Sequence, residues 1–337
     1  ETLRDRRERH LVERWQVQYS QSLRVHRLLQ QRESGASGSA ERASLLALGG
    51  AVYEADTYAA DTAAAGRAEA LYAGVRSKET GRASRADSLS PASVRARLDR
   101  SLDAEGRGTR SYRQLGYGPD RWRNLSGTLR ETRALGQIAQ SSTLLVGEDA
   151  SERSIRDLSE SGALDDYRAL HFATHGFVVP QVPALSALVL SEVETLPSSE
   201  RRRAPGTASR STERASAVDG YLNMQEIAQL DLDAEFVGLS ACETGVGRLY
   251  RGSGSVSLAQ AFLRAGARSV AVSLWSVYDA STSRFMQSVY RRAWDRETTW
   301  SAALSETKRA FIEGDYGERL RAPRFWAPFV YYGRDGH

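Results

Sequence analysis

The feature that most constrains this chain is a succession of short apolar runs, each giving way to a polar or glycine-bearing loop and then to a stretch of helical periodicity. Runs at 44–50 (SLLALGG), 142–147 (STLLVG), 167–175 (YRALHFATH), 185–190 (LSALVL), 234–241 (AEFVGLSA) and 267–275 (ARSVAVSLW) read as strands, and 326–333 (WAPFVYYG) is expected to close the sheet. Helices are expected at 128–140, 151–161, 223–229, 254–265, 280–294 and 299–313. Within them Met286, Val289, Tyr290 and Ala293 repeat at i, i+3, i+4 and i+7, which marks them as core. Strands alternating with helices predict an α/β fold with a mostly parallel central sheet and crossover helices.

Three segments fall outside this rhythm. Residues 8–31 place Val12, Trp15, Tyr19 and Leu23 at helical spacing and predict an amphipathic helix, its simplest role being to pack on an N-terminal helical repeat module. The sequence opens on Glu1 rather than Met, so residues 1–40 are expected to be the end or linker of an upstream module. SGASGS supplies a flexible break before the main domain at 41–337. The polar, Arg-rich stretches 77–125 and 191–219 exceed ordinary connections and are expected to be exposed loop insertions. The second carries Arg201, Arg202, Arg203, Arg210 and Arg214 and reads as a protease-sensitive, solvated insertion or as a self-cleavage site.

The single cysteine, Cys242, excludes an intrachain disulfide and leaves a metal ligand, a nucleophile or a core filler. Only five histidines accompany it, and His171 and His175 lie on a strand-like segment, too far apart to share a metal at about 3.3 Å per residue. No metal or other cofactor is expected. Net charge is +4 without a basic face interleaved with aromatics, which argues against direct nucleic-acid binding and leaves the arginines as solvated side chains. With neither a run of about 18 apolar residues nor a signal peptide, the expectation is a soluble, cytoplasmic protein with no membrane contact.

The run 167–175 ends in HFATHG and the run 234–241 leads into LSACETG, so a histidine and the only cysteine both sit where an apolar strand yields to a glycine-containing loop. In open parallel sheets that carboxyl edge is where ligands bind. If the two strands are neighbours, imidazole and thiol come within reach of proton exchange. The bland alternative is a buried core thiol and a hydrogen-bonded histidine. His171, deeper in the strand, reads as structural, and Gly245 and Gly247 let the loop after Cys242 turn.

Five segments in order, LHFATHG (170–176), DGYLNMQEIAQLDL (219–232), LSACETGVG (239–247), AFLRAGARSVAVSLWSVYD (261–279) and FWAPFVYYG (325–333), resemble the CHAT peptidases, relatives of caspases and separases. The resemblance implies a caspase-like sandwich, a mostly parallel central sheet flanked by helices. It implies a cysteine endopeptidase in which Cys242 is the nucleophile and His175 its base and acid, with no third carboxylate partner. The backbone N–H groups of Gly176 and Cys242 are the expected oxyanion donors. Asp279, which follows the 267–275 strand and resembles the separase aspartate that contacts a P1 arginine, is the candidate acid for a basic P1 residue, and Glu243 is its rival. Asp279 also reads as a helix N-cap before ASTSRFMQ. Such an enzyme is expected to cut a specific protein or peptide substrate after activation by an upstream sensor or regulatory module. The alternative is a catalytically silent caspase-like scaffold that binds protein partners. One departure stands out: the family commonly carries Gly-Glu-Gly where this chain has Gly252, Ser253 and Gly254.

Overall fold

The computed structural model describes residues 9–17, 43–53, 112–113, 115–118, 121–179, 182–191, 218–241, 248–250, 254–275, 279–295 and 298–334. In chain order the elements are β1 (Ala43–Ala51), α1 (Ser126–Ile138), β2 (Ser142–Gly147), α2 (Glu152–Glu160), β3 (Tyr167–Ala173), β4 (His175–Phe177), β5 (Ala187–Val189), β6 (Tyr221–Asn223) and α3 (Met224–Ile227). They continue with β7 (Phe236–Ser240), β8 (Arg248–Tyr250), β9 (Gly254–Val256), α4 (Leu258–Ala265), β10 (Ser269–Ser273), α5 (Asp279–Asp295), α6 (Trp300–Glu313) and β11 (Phe329–Gly333).

Six strands form the central sheet in the order β11-β10-β7-β3-β1-β2, every pair parallel except the antiparallel edge β10–β11. Because side chains alternate along a strand, neighbouring residues feed opposite cores. Leu46, Leu48, Leu170, Phe172, Val237, Leu239, Val270 and Val272 pack on one face with Ile155 of α2 and Phe262 of α4. Leu45, Ala47, Ala169, Phe236 and Ala271 pack on the other with Leu135 of α1, Phe285 and Val289 of α5, and Trp300 and Phe311 of α6. The expected sandwich of a mostly parallel sheet between helices is what the chain forms. α1 lies close on β1 because residue 49 is a glycine: a Cβ there would run into Thr132 Oγ1 and the Thr128 carbonyl.

The structure corrects several readings of the sequence. The 167–175 run is not one strand, since β3 ends at Ala173 and His175 opens β4 in a second, three-stranded antiparallel sheet β4-β5-β6. The turn is set by Thr174, whose hydroxyl donates to the Val189 carbonyl and also bonds the Tyr53 hydroxyl at 2.5 Å. The 185–190 run likewise joins that small sheet and not the central one. Residues 254–256 form β9 against β8, so the helix expected from 254 starts at Leu258. Finally, of the helix expected at 8–31, the described residues hold only the 3-10 turn Leu11–Glu13. Val12 is buried in the core beside α6, and its carbonyl accepts from Arg309 Nε at 2.9 Å, so this segment docks on the domain itself. Tyr19 and Leu23 lie outside the described residues.

The end of the 77–125 stretch is no exposed loop. Tyr112, Leu115, Tyr117 and Trp122 are buried with Phe177, Val179, Ala187, Val189 and Tyr221, a satellite core that covers the small sheet. The 191–219 stretch is moored at both ends to one place. Ser191 N–H donates to the Ala150 carbonyl at 2.8 Å and its hydroxyl to Gly147, while Glu152 Oε2 accepts the N–H groups of Asp219 and Gly220, each at 3.0 Å. Residues 192–217 lie outside the described residues. Around this mooring Arg156 bonds Glu152 at 2.6 Å and Glu226 at 2.7 Å. Burial, and the crowding of carboxylates next, push Asp219 up to about 8 and Glu226 up to about 7. Among the described residues no helix is long and apolar enough to cross a membrane.

Candidate active site

β3 and β7 are parallel neighbours, which meets the condition set by the sequence. Their register runs unbroken from Ala169 opposite Phe236 to Ala173 opposite Ser240. His175 and Cys242 each follow two residues later in sequence, at the carboxyl ends of adjoining strands. Cys242 itself, with Glu243, Gly245 and Gly247, lies outside the described residues.

His175 is half-buried at the start of β4, opposite Val189. Its Nε2 lies 2.8 Å from the Arg123 carbonyl oxygen. A carbonyl can only accept, so Nε2 carries the hydrogen and Nδ1 is left as the ring's basic nitrogen in the neutral form. The ring packs against Tyr53 at 5.0 Å and Trp122 at 5.2 Å between centroids. Burial pulls the imidazole below its ordinary value, the Arg123 carbonyl partly offsets this, and the Arg121 charge adds to it. The histidine is therefore held neutral near pH 7, the state in which it can accept a proton.

His171 has the opposite setting. It is 1 % exposed, with Nε2 at 2.8 Å from Glu131 Oε1 of α1 and Nδ1 at 3.1 Å from the Tyr290 hydroxyl of α5. Its partner across the β3–β7 ladder is Gly238, where a Cβ would come within 2.8 Å of Nδ1 and 3.0 Å of the hydroxyl. The structural reading of His171 holds. Strand alternation does not relate it to His175, because β3 stops at Ala173.

With this geometry in view, the sequence pattern of one family accounts for almost the whole chain: that described as "CHAT domain" matches residues 1–334. The chain belongs to the CHAT domain family. Among curated proteins none matches. Among solved structures, this CHAT domain is similar to Saccharomyces cerevisiae separase in complex with securin. One such structure has 16% identity, covering 60% of this chain and 11% of that one at a TM-score of 0.35. A second has 12% identity over 96% and 14% of the two chains at 0.42. It is also similar to gingipain R (RgpB), the Arg-specific cysteine proteinase of Porphyromonas gingivalis, at 13% identity over 63% and 42% of the two chains and a TM-score of 0.38. The chain thus spans less than half the length of each. At these scores the overlap is loose, and family membership rests on the sequence match.

Of the other residues expected at the site of this CHAT domain, Gly176 sits opposite Leu188 in the β4–β5 pair, one residue from His175. Asp279 opens α5, and its side chain lies outside what is described. Among the described residues no group of three or more His, Cys, Asp or Glu could hold a metal ion. Sequence reasoning gave no place to Tyr53, Trp122 and the Arg123 carbonyl, the groups that surround the His175 ring. The available signal was Tyr112, Tyr117 and Trp122 themselves, large aromatics that a solvated Arg-rich loop does not need.

Proposed function

We propose that this CHAT domain is a cysteine endopeptidase whose nucleophile is Cys242 and whose base is His175. The observation that carries the reading is the β3–β7 register, which ends the two motif-bearing strands level with one another, combined with a neutral imidazole tethered through Nε2. Nδ1 takes the thiol proton, the thiolate attacks the peptide carbonyl, and the N–H groups of Gly176 and Cys242 receive the developing oxyanion. The imidazolium then protonates the leaving amine, and water, deprotonated by the same ring, hydrolyses the thioester. A cysteine-directed acyloxymethyl ketone tests this directly. Stoichiometric labelling that Cys242→Ala abolishes supports the peptidase, and no labelling under any activating condition supports the silent scaffold.

The substrate of this reading is a specific protein cut after Arg or Lys, with Asp279 or Glu243 as the acid that receives the P1 cation and an upstream module as the activator. Asp279→Asn is expected to leave folding largely intact and to erase the preference for Arg over Leu at P1. Identical P1 library profiles for variant and wild type would remove Asp279 from that role. A cap alone predicts a stability loss of about 0.5–2 kcal/mol with unchanged specificity.

A further inference from the structure

Four consecutive residues after the first insertion, Arg121, Trp122, Arg123 and Asn124, each bear on His175. The Trp122 ring packs on the imidazole, and the Arg123 carbonyl accepts its Nε2–H. Asn124 Oδ1 accepts the backbone N–H of Tyr53 at 2.9 Å, and Tyr53 is the second ring against the imidazole. The Arg121 guanidinium lies over both Trp122 and Tyr117. Trp122 is in turn locked from behind: its Nε1–H donates to the Tyr221 hydroxyl at 3.1 Å, that hydroxyl donates to the Tyr117 carbonyl at 2.8 Å, and its ring stacks on Phe177. One turn of chain therefore supplies a wall, an acceptor and a brace for a single imidazole.

We propose that Trp122 is a positioning residue for His175: seated in its slot, it holds the Arg123 carbonyl on Nε2 and, with Tyr53, keeps water from the ring. The proposal rests on His175 being the base, yet the clamp is measurable without catalysis. The charged and titratable groups facing the ring are Arg121, which disfavours the imidazolium, and the Tyr53 phenol, kept neutral by burial. Removing the indole admits water and loosens the acceptor. The first change raises the affinity of His175 for a proton; the second gives back part of that rise, because the Arg123 carbonyl favours the protonated ring, and frees the ring to exchange tautomers, with the larger effect of burial setting the net direction.

The test is a nitrogen-15 NMR titration of His175 in the full chain carrying Cys242→Ala, which removes thiol coupling, with the signal assigned by its loss in His175→Gln. The Nε2–H tautomer and a midpoint below about 6.5 are expected before Trp122 is changed. With Trp122→Ala the midpoint should rise by about half a unit or more and the nitrogen shifts should move toward a tautomer mixture. Should that variant fail to fold, Trp122→Leu carries the test, with the same direction and a smaller rise. An unchanged midpoint and tautomer in whichever folded variant is measured overturns the clamp. In the active protein the acidic limb of kcat should move by the same amount while KM stays put. A titration that moves with a pH–rate profile that does not would preserve the clamp and sink His175 as the base.

Discussion

His171 and His175 lie four residues apart, and the structure gives them opposite fates. At His171, on β3 beneath α1 and α5, both ring nitrogens are bonded, to a carboxylate and a phenol, in full burial. At His175, beyond the Thr174 turn, one nitrogen is bonded to a backbone carbonyl, and among the described residues Nδ1 has no hydrogen-bond partner. A saturated imidazole specifies packing, while one with a spare basic nitrogen can do chemistry. What separates the two is a change of sheet across one threonine.

The sharpest break of this comparison is His175→Ala, expected to lower kcat by about 10²–10⁴-fold with a small change in KM. Near wild-type turnover would dissolve the distinction. His171→Ala should do the reverse, leaving the Glu131 carboxylate buried and unpaired and costing about 3–5 kcal/mol in stability by denaturant titration. The kcat of its folded fraction should be close to wild type. Gly238→Ala probes the same pocket from β7: the new methyl meets His171 Nδ1 and the Tyr290 hydroxyl, for a loss of about 1–3 kcal/mol. A neutral substitution would show that the His171 site is loosely packed.

The smallest effect is on pH dependence. Asp219 and Glu226 bind protons more tightly folded than unfolded, so their contribution is full below about pH 4 and is lost as pH rises through about 7–8. Thermal stability should therefore fall between about pH 5 and about pH 9, and Asp219→Asn, which keeps an acceptor for the Tyr221 N–H, should flatten that fall. An unaltered slope would place the raised proton affinity elsewhere.

The central sheet was legible because its strands announce themselves locally. STLLVG at 142–147 is β2 to the residue, and the β7 run was read to within one residue of its end at Ser240, while the break after Ala173 was not seen. What could not be read was partnership. LSALVL is as apolar as a central strand, yet it pairs with β4 and β6, and its Val189 carbonyl accepts from the hydroxyls of Thr174 and Tyr53. Trp122 and Arg123 stayed hidden because their work is done across a long sequence separation, one through a ring and the other through a main-chain oxygen that leaves no trace in residue identity. Cys242 is proposed from its motif alone, since a strand end followed by a lone thiol is chemically conspicuous.

The double mooring of the 191–219 stretch at the start of α2 has a consequence for how this fold can vary. Ser191 and Asp219 are fastened within one turn of each other, so the two described ends of this stretch stand at a single doorway. The entropy of closing a loop through such a doorway grows only with the logarithm of its length, about 0.6 kcal/mol for each doubling. Whole modules can thus be spliced between these two posts, or the span nicked, while the domain keeps both chain ends in hand.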